Sequence, residues 1–438
     1  MTGVPARWTA DRVMALAPDA SSQRAAAGLT GLSSWTGVGA AGDLVWGVCA
    51  GSGRHPYRTV VDLTGPAYHC SCPSRKFPCK HALALLLNWA DGMVGEQAEP
   101  AGFARTWKAG RGGRAVRSAK PKTEKDEAAA ARRAEQRDRR VAAGLAELEM
   151  WLRDQVRAGL SAAAAPGYRH AEGIAARMVD AQAPGVASAL RRLAGTPASG
   201  DGWPPRLLAE YALLHLLVRA HDHLDALPPA LAAVVRSRVG YSTRREDVLA
   251  LPGVSDRWQV LAARDVLDAP VPARRIWLRG RDTKRFALLL AFAPNGSFAG
   301  NPDAALTPGT ELHADMHFYP GQPPLRSVVG RRNAPPAAEN HPDGAGGVTA
   351  LLEDWASALE ADPWLTEWPA LLTGTPVVSA GGWYLSDTSG AGLPLLGLER
   401  LWTLLAVSGG HPVTVAGEWS PAGLIPLTVW HGGLAVPL

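Results

Sequence analysis

Hydrophobic residues first cluster in two short segments near the N-terminus and then recur with a helical period. The segments "DLVWGVC" and "YRTVVDL" are filled with apolar and β-branched residues, which favour strands, and Gly51, Ser52 and Gly53 between them predict a turn. The next apolar segment, "HALALLLNWADG", has a broad apolar face at helical spacing. The pattern therefore predicts the order strand, strand, polar turn and helix within residues 45–91.

The middle of the chain has a helical pattern. Three amphipathic segments follow one another: "AAGLAELEMWLRDQVRAGL", "GIAARMVDAQAPGVASALRRLA" and "PRLLAEYALLHLLVRAHDHLDAL". In front of them lie seven cations with no acid among them, interleaved with Gly, Ser and Pro: Arg105, Lys108, Arg111, Arg114, Arg117, Lys120 and Lys122. Such a composition does not bury a core. We therefore predict a basic disordered linker over residues 101–123 and a helical region over residues 124–250.

Beyond about Arg257 the pattern becomes that of strands. "RRIWLRG", "RFALLLAFAP" and "HPVTVAGEW" have strand composition, "ELHADMHFYP" alternates between apolar and polar residues, and Asn295-Gly296 predicts a hairpin turn. Two helical segments interrupt them, "GVTALLEDWASALEAD" and "LERLWTLLAVSGG". Residues 251–438 are therefore predicted to form a mixed α/β domain.

These segments together predict a multidomain α+β protein. Its N-terminal domain, residues 1–100, contains a small ββα module, and a helical middle region and a mixed α/β C-terminal half follow. The 438 residues leave room for two or three domains, and 47% hydrophobic with 19% charged residues is typical of a globular chain. No run of eighteen apolar residues occurs and the N-terminus lacks the pattern of a signal peptide. We therefore expect a cytoplasmic protein.

Three of the four cysteines lie in the polar turn of the ββα module. They form a C-x-C pair, Cys70 and Cys72, and six residues later a C-x-H pair, Cys79 and His81. Three thiolates and one imidazole have the number and softness of a closed tetrahedral zinc site. On an extended segment, residues two apart point to the same side, so both members of the first pair can reach one ion.

Three other interpretations of this cluster are weaker. A redox C-x-C pair does not need Cys79 and His81 at this distance. Buried cysteines without a ligand would lie in an apolar segment, whereas Arg75, Lys76 and Lys80 make this turn polar. A catalytic zinc needs an open coordination position, and four protein ligands fill the shell. The cluster therefore favours one structural zinc ion per chain.

The order strand, strand, C-x-C, short loop, C-x-H and apolar helix resembles the SWIM-type zinc finger over about residues 45–91. The rest of the chain is similar in length and order to bacterial SWIM zinc-finger proteins. The resemblance implies a small zinc module that binds DNA or protein. It also implies a link with MoxR-type ATPases and von Willebrand factor A proteins as partners.

Cations near the module make nucleic acid a possible partner. These cations are Arg54, His55, Arg58, Arg75, Lys76 and Lys80, and the linker adds its seven. Counterion release favours the binding of such a strip to a polyanion, and Trp107 is placed to stack on a base. A charge run is more often a solvated linker, and the remainder of the chain offers surface for a protein partner. The sequence leaves DNA binding and protein interaction both open.

Two further patterns were weighed as sites. "GVGAAG", from Gly37 to Gly42, matches a dinucleotide-binding motif by letter, but a strand follows it where a helix is required, so we predict a flexible loop. His313, Asp315 and His317 share one face of a predicted strand. They are candidate ligands for a second metal, but no fourth ligand can be identified, and the solvent face of a half-buried strand explains the alternation completely.

The sequence therefore leads to one main hypothesis and one alternative. The main hypothesis is a cytoplasmic, non-enzymatic, zinc-binding adaptor that recruits a protein or nucleic-acid partner through its finger, with no catalytic residues. The alternative is an enzyme with a site, possibly metal-dependent, in the β-rich C-terminal half. The strand with His313, Asp315 and His317 is the only support for this alternative.

Overall fold

The structure is a computed structural model. It describes residues 7–14, 16–17, 20–50, 55–63, 67–74, 78–117, 124–160, 170–267, 271–293, 298, 301–334, 336–338, 341–379 and 381–438. The chain divides into two compact units. The first comprises residues 1–121, 265–274 and 291–306, and the second comprises residues 122–264, 275–290 and 307–438.

The N-terminal part of the first unit is built on a four-stranded antiparallel sheet. Its strands, in spatial and chain order, are β1 (Trp35–Ala41), β2 (Leu44–Cys49), β3 (Tyr57–Asp62) and β4 (Ala67–Cys70). Its helices are α1 (Ala10–Met14), α2 (Ala20–Ala27), α3 (Lys80–Ala90) and α4 (Gly102–Arg117). The two predicted strands are β2 and β3, and the predicted helix is α3. The predicted turn residues Gly51, Ser52 and Gly53 lie outside the described residues.

Two strands of this sheet were not predicted. The segment from Gly37 to Gly42, predicted to be a flexible loop, forms most of β1 and pairs with β2. Its glycine serves close packing, because a Cβ on Gly39 would lie 2.6 Å from the ring of Trp46. The other strand, β4, is only four residues long and pairs with β3. The predicted ββα module is therefore completed by one strand on each side.

The segment predicted to be a disordered linker is helical from Gly102 to Arg117. Ala104 is fully buried beside Leu44, Trp46 and Val60 of the sheet, so α4 covers the sheet face opposite α3. Helix α4 has few apolar residues, but the contact of Ala104 with the sheet stabilises it. Residues 118–123, with Lys120, lie outside the described part of the chain.

Helices dominate the middle of the chain, as predicted. They are α5 (Glu124–Ala158), α6 (His170–Asp180), α7 (Pro184–Leu193), α8 (Trp203–Asp222), α9 (Pro229–Val239) and α10 (Arg245–Leu249). Leu145 and Leu148 of α5, Leu190 of α7 and Leu217 of α8 belong to one buried core. Helices α7 and α9 approach each other closely at Gly185, the second residue of α7, since a Cβ there would lie 2.2 Å from the carbonyl oxygen of Arg238.

Five strands of the C-terminal half close into a barrel. They are β5 (Val254–Val266), β6 (Ala273–Gly280), β7 (Phe286–Phe292), β8 (Thr310–Phe318) and β9 (Arg326–Arg332), and a short β10 (Ala337–Ala338) extends the edge at β8. The order is β8-β5-β6-β7-β9, and β8 also pairs with β9. The first four strands in this order form a Greek key. The parallel pairing of β7 with β9 completes the barrel.

A second six-stranded sheet ends the chain. Its order is β13 (Gly392–Pro394), β12 (Gly382–Ser386), β11 (Trp368–Ser379), β14 (Val413–Ser420), β15 (Gly423–His431) and β16 (Leu434–Pro437). Helices α11 (Val348–Ala361) and α12 (Leu398–Ser408) contribute to its core. Trp277 of the barrel packs with Leu371 and Leu427 of this sheet, which joins the two β layers.

The predicted fold class is confirmed: a strand module with the cysteine cluster, a helical middle and a β-rich C-terminal half. The predicted domain bounds stay predictions, apart from the helix in place of the linker. Asn295-Gly296 lies outside the described residues. Among the residues that the structure describes, no helix has both the length and the apolar composition for crossing a bilayer.

Candidate metal centre

The four predicted ligands lie at the junction of β4 and α3. Cys70 is the last residue of β4 and pairs with Thr59 of β3, and Cys72 follows two residues later. Cys79 is the N-cap residue of α3, with extended backbone angles, and His81 lies in the first helical turn. A strand end and a helix start therefore bring the two ligand pairs together.

The ligand atoms converge as a tetrahedral site requires. The three sulfurs and one ring nitrogen all lie within 4.8 Å of one another. Nδ1 of His81 is 3.8 Å from Sγ of Cys70 and 4.0 Å from Sγ of Cys79. With ordinary Zn–S and Zn–N bond lengths, the edges of a tetrahedron around zinc measure about 3.5–3.8 Å. The predicted ligand set is therefore positioned for one zinc ion, with Nδ1 as the donor atom of His81.

The site is part of the core of the module. Cys70, Cys79 and His81 are buried and Cys72 is half-buried. The ring of Tyr57 packs on the imidazole of His81, with 5.0 Å between ring centroids. Four protein ligands in a buried shell leave no open coordination position for a substrate, which is the arrangement of structural zinc.

Two models of known protein families match parts of the chain. The model of the SWIM zinc finger matches residues 57–90, which begin at the start of β3, end at the end of α3 and include all four ligands. The model of the SWIM-associated four-helix bundle domain matches residues 136–239. The chain therefore contains a SWIM-type zinc finger and a SWIM-associated four-helix bundle domain. No curated protein and no solved structure matches the chain.

The two matches lie on separate parts of the structure. The SWIM finger match covers β3, β4 and α3, whereas β1 and β2 lie outside it although they belong to the same sheet. The bundle match extends from within α5 to the end of α9. The barrel and the C-terminal sheet fall outside both matches.

One residue that supports the ligands was not found in the sequence. Thr59 is fully buried, and its Oγ1 lies 3.2 Å from Sγ of Cys70. A hydroxyl at this distance donates to the thiolate and orients the ligand. The signal is the register of the β3–β4 pair, which sets Thr59 opposite Cys70 and which the sequence alone does not give.

The thiols of the SWIM finger differ in acidity. Hydrogen bonds from Cys79, His81 and Thr59 outweigh burial and lower the pKa of Cys70 to about 3. The hydrogen bond to Cys70, together with burial, raises the pKa of Cys79. Burial raises the pKa of Cys72. Before zinc binds, the site therefore holds one thiolate and two protonated thiols at neutral pH.

We expect zinc affinity to rise steeply with pH and to be lost as the pH falls. Zinc must displace the protons of Cys72 and Cys79, because thiolates are the ligands. Both pKa values lie above the ordinary thiol value of 9.0. Protons therefore compete with zinc throughout the range from about pH 6 to pH 8. The displacement of two protons per zinc corresponds to about a hundredfold loss of affinity for each unit by which the pH is lowered.

Competition with a zinc chelator of known affinity at several pH values measures this slope. Calorimetry in two buffers with different ionisation heats counts the released protons independently. An affinity that does not change with pH in this range would contradict the assignment of two protonated thiols.

The second candidate site is not a metal cluster. Nδ1 of His317 lies 2.8 Å from the carbonyl oxygen of Leu251. Asp315 accepts hydrogen bonds at 3.3 Å from Arg331 and from Asn333, and His313 is exposed. Within the described part of the chain, the four SWIM ligands are the one group of three or more His, Cys, Asp or Glu side chains close enough to hold a metal. The solvent-face interpretation of the strand is therefore the better one.

Three of the six cations near the finger lie within the described residues. His55, Arg58 and Lys80 are exposed, and the guanidinium of Arg58 lies 5.8 Å from the ring centroid of Phe103. Three others, Arg54, Arg75 and Lys76, lie outside the described residues. The proposed stacking residue Trp107 is half-buried, and its ring already stacks on His69 at 6.0 Å.

Proposed function

We propose that the protein is a cytoplasmic, non-catalytic adaptor that recruits a protein partner through its zinc-stabilised SWIM finger. The reducing cytoplasm keeps the cysteines as thiols that zinc can bind. The family resemblance suggests a MoxR-type ATPase or a von Willebrand factor A protein as the partner. The helical and β-rich parts of the chain then serve as scaffold for other contacts.

The observation that carries this proposal is the burial of α3. Every residue from His81 to Trp89 is buried, and α3 packs against the sheet as well as against α1 and α2. A helix that reads DNA enters the major groove with side chains exposed to base edges. The helix of this finger has no such face, which argues against groove reading and in favour of another kind of partner.

The finger instead offers its ligand turn and a strand edge. Ser71, Pro73 and Lys80 are exposed beside the zinc ligands. Among the described strands, β4 is at the edge of the sheet, so we propose that its outer backbone groups pair with an extended segment of another protein. A protein that docks here contacts a surface whose shape depends on zinc.

The support for nucleic acid is weaker. Arg105 lies 3.2 Å from Glu99 and Lys108 lies 2.8 Å from Asp43, so two of the cations already have acidic neighbours. The alternative of an enzyme is weaker as well, because the side chains of Asp315 and His317 are engaged by hydrogen bonds within the protein.

We expect Lys80→Glu to weaken binding of the partner at least about tenfold while zinc content stays at one ion per chain, because a reversed charge at an interface disfavours docking. The measurement is calorimetric titration of the full-length, zinc-loaded protein with a purified MoxR-type ATPase and with a von Willebrand factor A protein. The matched control is Lys284→Glu, the same charge reversal at an exposed residue far along the chain.

A parallel titration tests nucleic acid as the partner. Duplex and single-stranded DNA are added to the same proteins at several salt concentrations. Binding to duplex DNA that Lys80→Glu abolishes, without binding to either protein, would replace the protein partner by nucleic acid. Equal binding of the partner by both variants would contradict recruitment through the finger.

A further inference from the structure

The barrel carries a cavity on one face that no part of the proposed function uses. Its volume is about 530 Å³, within the range of about 300–1,000 Å³ that is usual for ligand sites. The barrel side is formed by Arg275 and Trp277 of β6, Leu288 of β7, residues 319–323, Leu325 and Arg326. The end of α9 and the residues after it form another wall. All of these residues belong to the second unit.

The position of the cavity on the barrel is informative. Counted from β5, the barrel has five strands, and β6 and β7 are the second and third, while residues 319–325 connect the fourth and fifth. A five-stranded Greek-key barrel of the OB type binds oligonucleotides or oligosaccharides on this face and in this loop. A similar topology does not establish a function. Support for either class of ligand must therefore come from the side chains that line the cavity.

The charges of the cavity distinguish between these ligands. Among its arginines, Arg238 pairs with Asp362 and Arg275 lies 2.7 Å from Glu418. The other two, Arg236 and Arg326, line the cavity, are exposed and have no ion pair in the part of the chain that the structure describes. Two unneutralised guanidinium groups favour an anion such as phosphate over a neutral sugar.

Aromatic rings lie beside these two arginines. The guanidinium of Arg326 lies 4.2 Å from the ring centroid of Tyr319, and that of Arg236 lies 5.4 Å from the ring centroid of Tyr241. Tyr319 is half-buried in the loop between the fourth and fifth strands. Bases stack on aromatic rings and on guanidinium planes, whereas phosphates bind the same arginines at their edges.

We propose that this cavity binds a nucleotide unit of single-stranded nucleic acid, with Arg236 and Arg326 on phosphates and Tyr319 against a base. A base in a duplex is stacked and paired, so a cavity of this size takes it only from a single strand. The site belongs to the barrel and is independent of zinc and of the SWIM finger.

The test uses the full-length protein and a fluorescent oligo(dT) about 12 nucleotides long, which is enough for one barrel of this type. Fluorescence anisotropy at several salt concentrations gives the affinity and its salt dependence. We expect the double variant Arg236→Gln, Arg326→Gln to weaken binding about tenfold or more and to reduce the slope of log affinity against log salt by about 1–2. Tyr319→Ala is expected to weaken binding about tenfold without changing the slope.

The matched control is Arg285→Gln. Arg285 also lies over an aromatic ring of the barrel, 4.4 Å from the ring centroid of Phe318, but it does not line the cavity. Its affinity for oligo(dT) should equal that of the unchanged protein. Circular dichroism verifies that all variants keep the fold, which is expected because the exchanged arginines are exposed or half-buried.

Several results would overturn the proposal. One is unchanged binding of oligo(dT) by the double variant, or no binding by the unchanged protein even at low salt. Another is equal competition by duplex DNA of the same length. Binding of thymidine monophosphate without binding of oligo(dT) would mean that the cavity takes free nucleotides and not a strand. Loss of binding in Lys108→Gln, but not in the double variant, would move the contact to α4.

Discussion

Cys79→Ser is expected to abolish zinc binding and to unfold residues 45–91. A hydroxyl does not replace a thiolate at zinc, and three remaining ligands leave the shell open. Structural zinc contributes about 10–16 kcal/mol to the folding of small modules. Cys79 is fully buried at the start of α3, so the loss of its bond to zinc frees the helix that fills the core of the module from the metal.

Two measurements on the Cys79→Ser variant detect the loss of zinc and of folded structure. Zinc content per chain is expected to fall from one to near zero, and limited proteolysis is expected to cut within residues 45–91 while the helical region and the barrel stay resistant. Domains with their own cores unfold separately, so the damage should remain in the finger and in α1 and α2, which pack on α3.

Cys49→Ser is the matched control. Cys49 is as buried as Cys79 and lies in β2 of the same sheet, but it is not among the four converging ligands. The control should keep one zinc per chain and its protease resistance. If Cys79→Ser retained zinc and resisted protease as the control does, the zinc assignment would be wrong.

Glu418→Gln is expected to destabilise the barrel and the adjoining sheet by about 3 kcal/mol. Glu418 on β14 is 1% exposed and lies 2.8 Å from Arg264 of β5 and 2.7 Å from Arg275 of β6. The indole of Trp277 donates to the same carboxylate at 2.7 Å. Removing this negative charge leaves Arg264 and Arg275 to share the single charge of Glu367, and the uncompensated positive charge beside a buried neutral amide is costly.

Hydrogen exchange followed by mass spectrometry measures this effect locally. A loss of about 3 kcal/mol corresponds to about a hundredfold faster exchange in β5, β6 and β14. Glu367→Gln is the control, because Glu367 contacts the same two arginines but is 29% exposed. That variant should lose less than about 1 kcal/mol. Equal acceleration in both variants would contradict the special role of the buried carboxylate.

The zinc site and the barrel cavity differ in how their residues are distributed along the chain. The finger has its four ligands within twelve consecutive positions, and in the proposed function its docking surface is held in shape by the metal. The cavity needs residues from α9, three strands and a loop, and zinc removal should leave it intact. The two proposals place a protein partner at the finger and a nucleic-acid strand at the barrel, and the two sets of variants test these contacts separately.

The sequence by itself determined the zinc ligands and most of the secondary structure. Cys70, Cys72, Cys79 and His81 are close in the chain, and the chemistry of zinc accepts few other interpretations of three thiols and one imidazole at this spacing. Periodicity located α3, the middle helices and the strands β6, β7 and β8, because long amphipathic patterns depend on local geometry.

Tertiary structure decided the rest. Gly39 is a strand residue because Trp46 needs its space, and α4 is a helix because Ala104 is buried against the sheet. The sequence around Gly39 and the sequence of α4 both have the local composition of a loop. The barrel cavity brings together Arg236 and Arg326, which are far apart in the chain. No spacing of residues along the sequence predicts such a site, because only strand pairing and helix packing bring these side chains together.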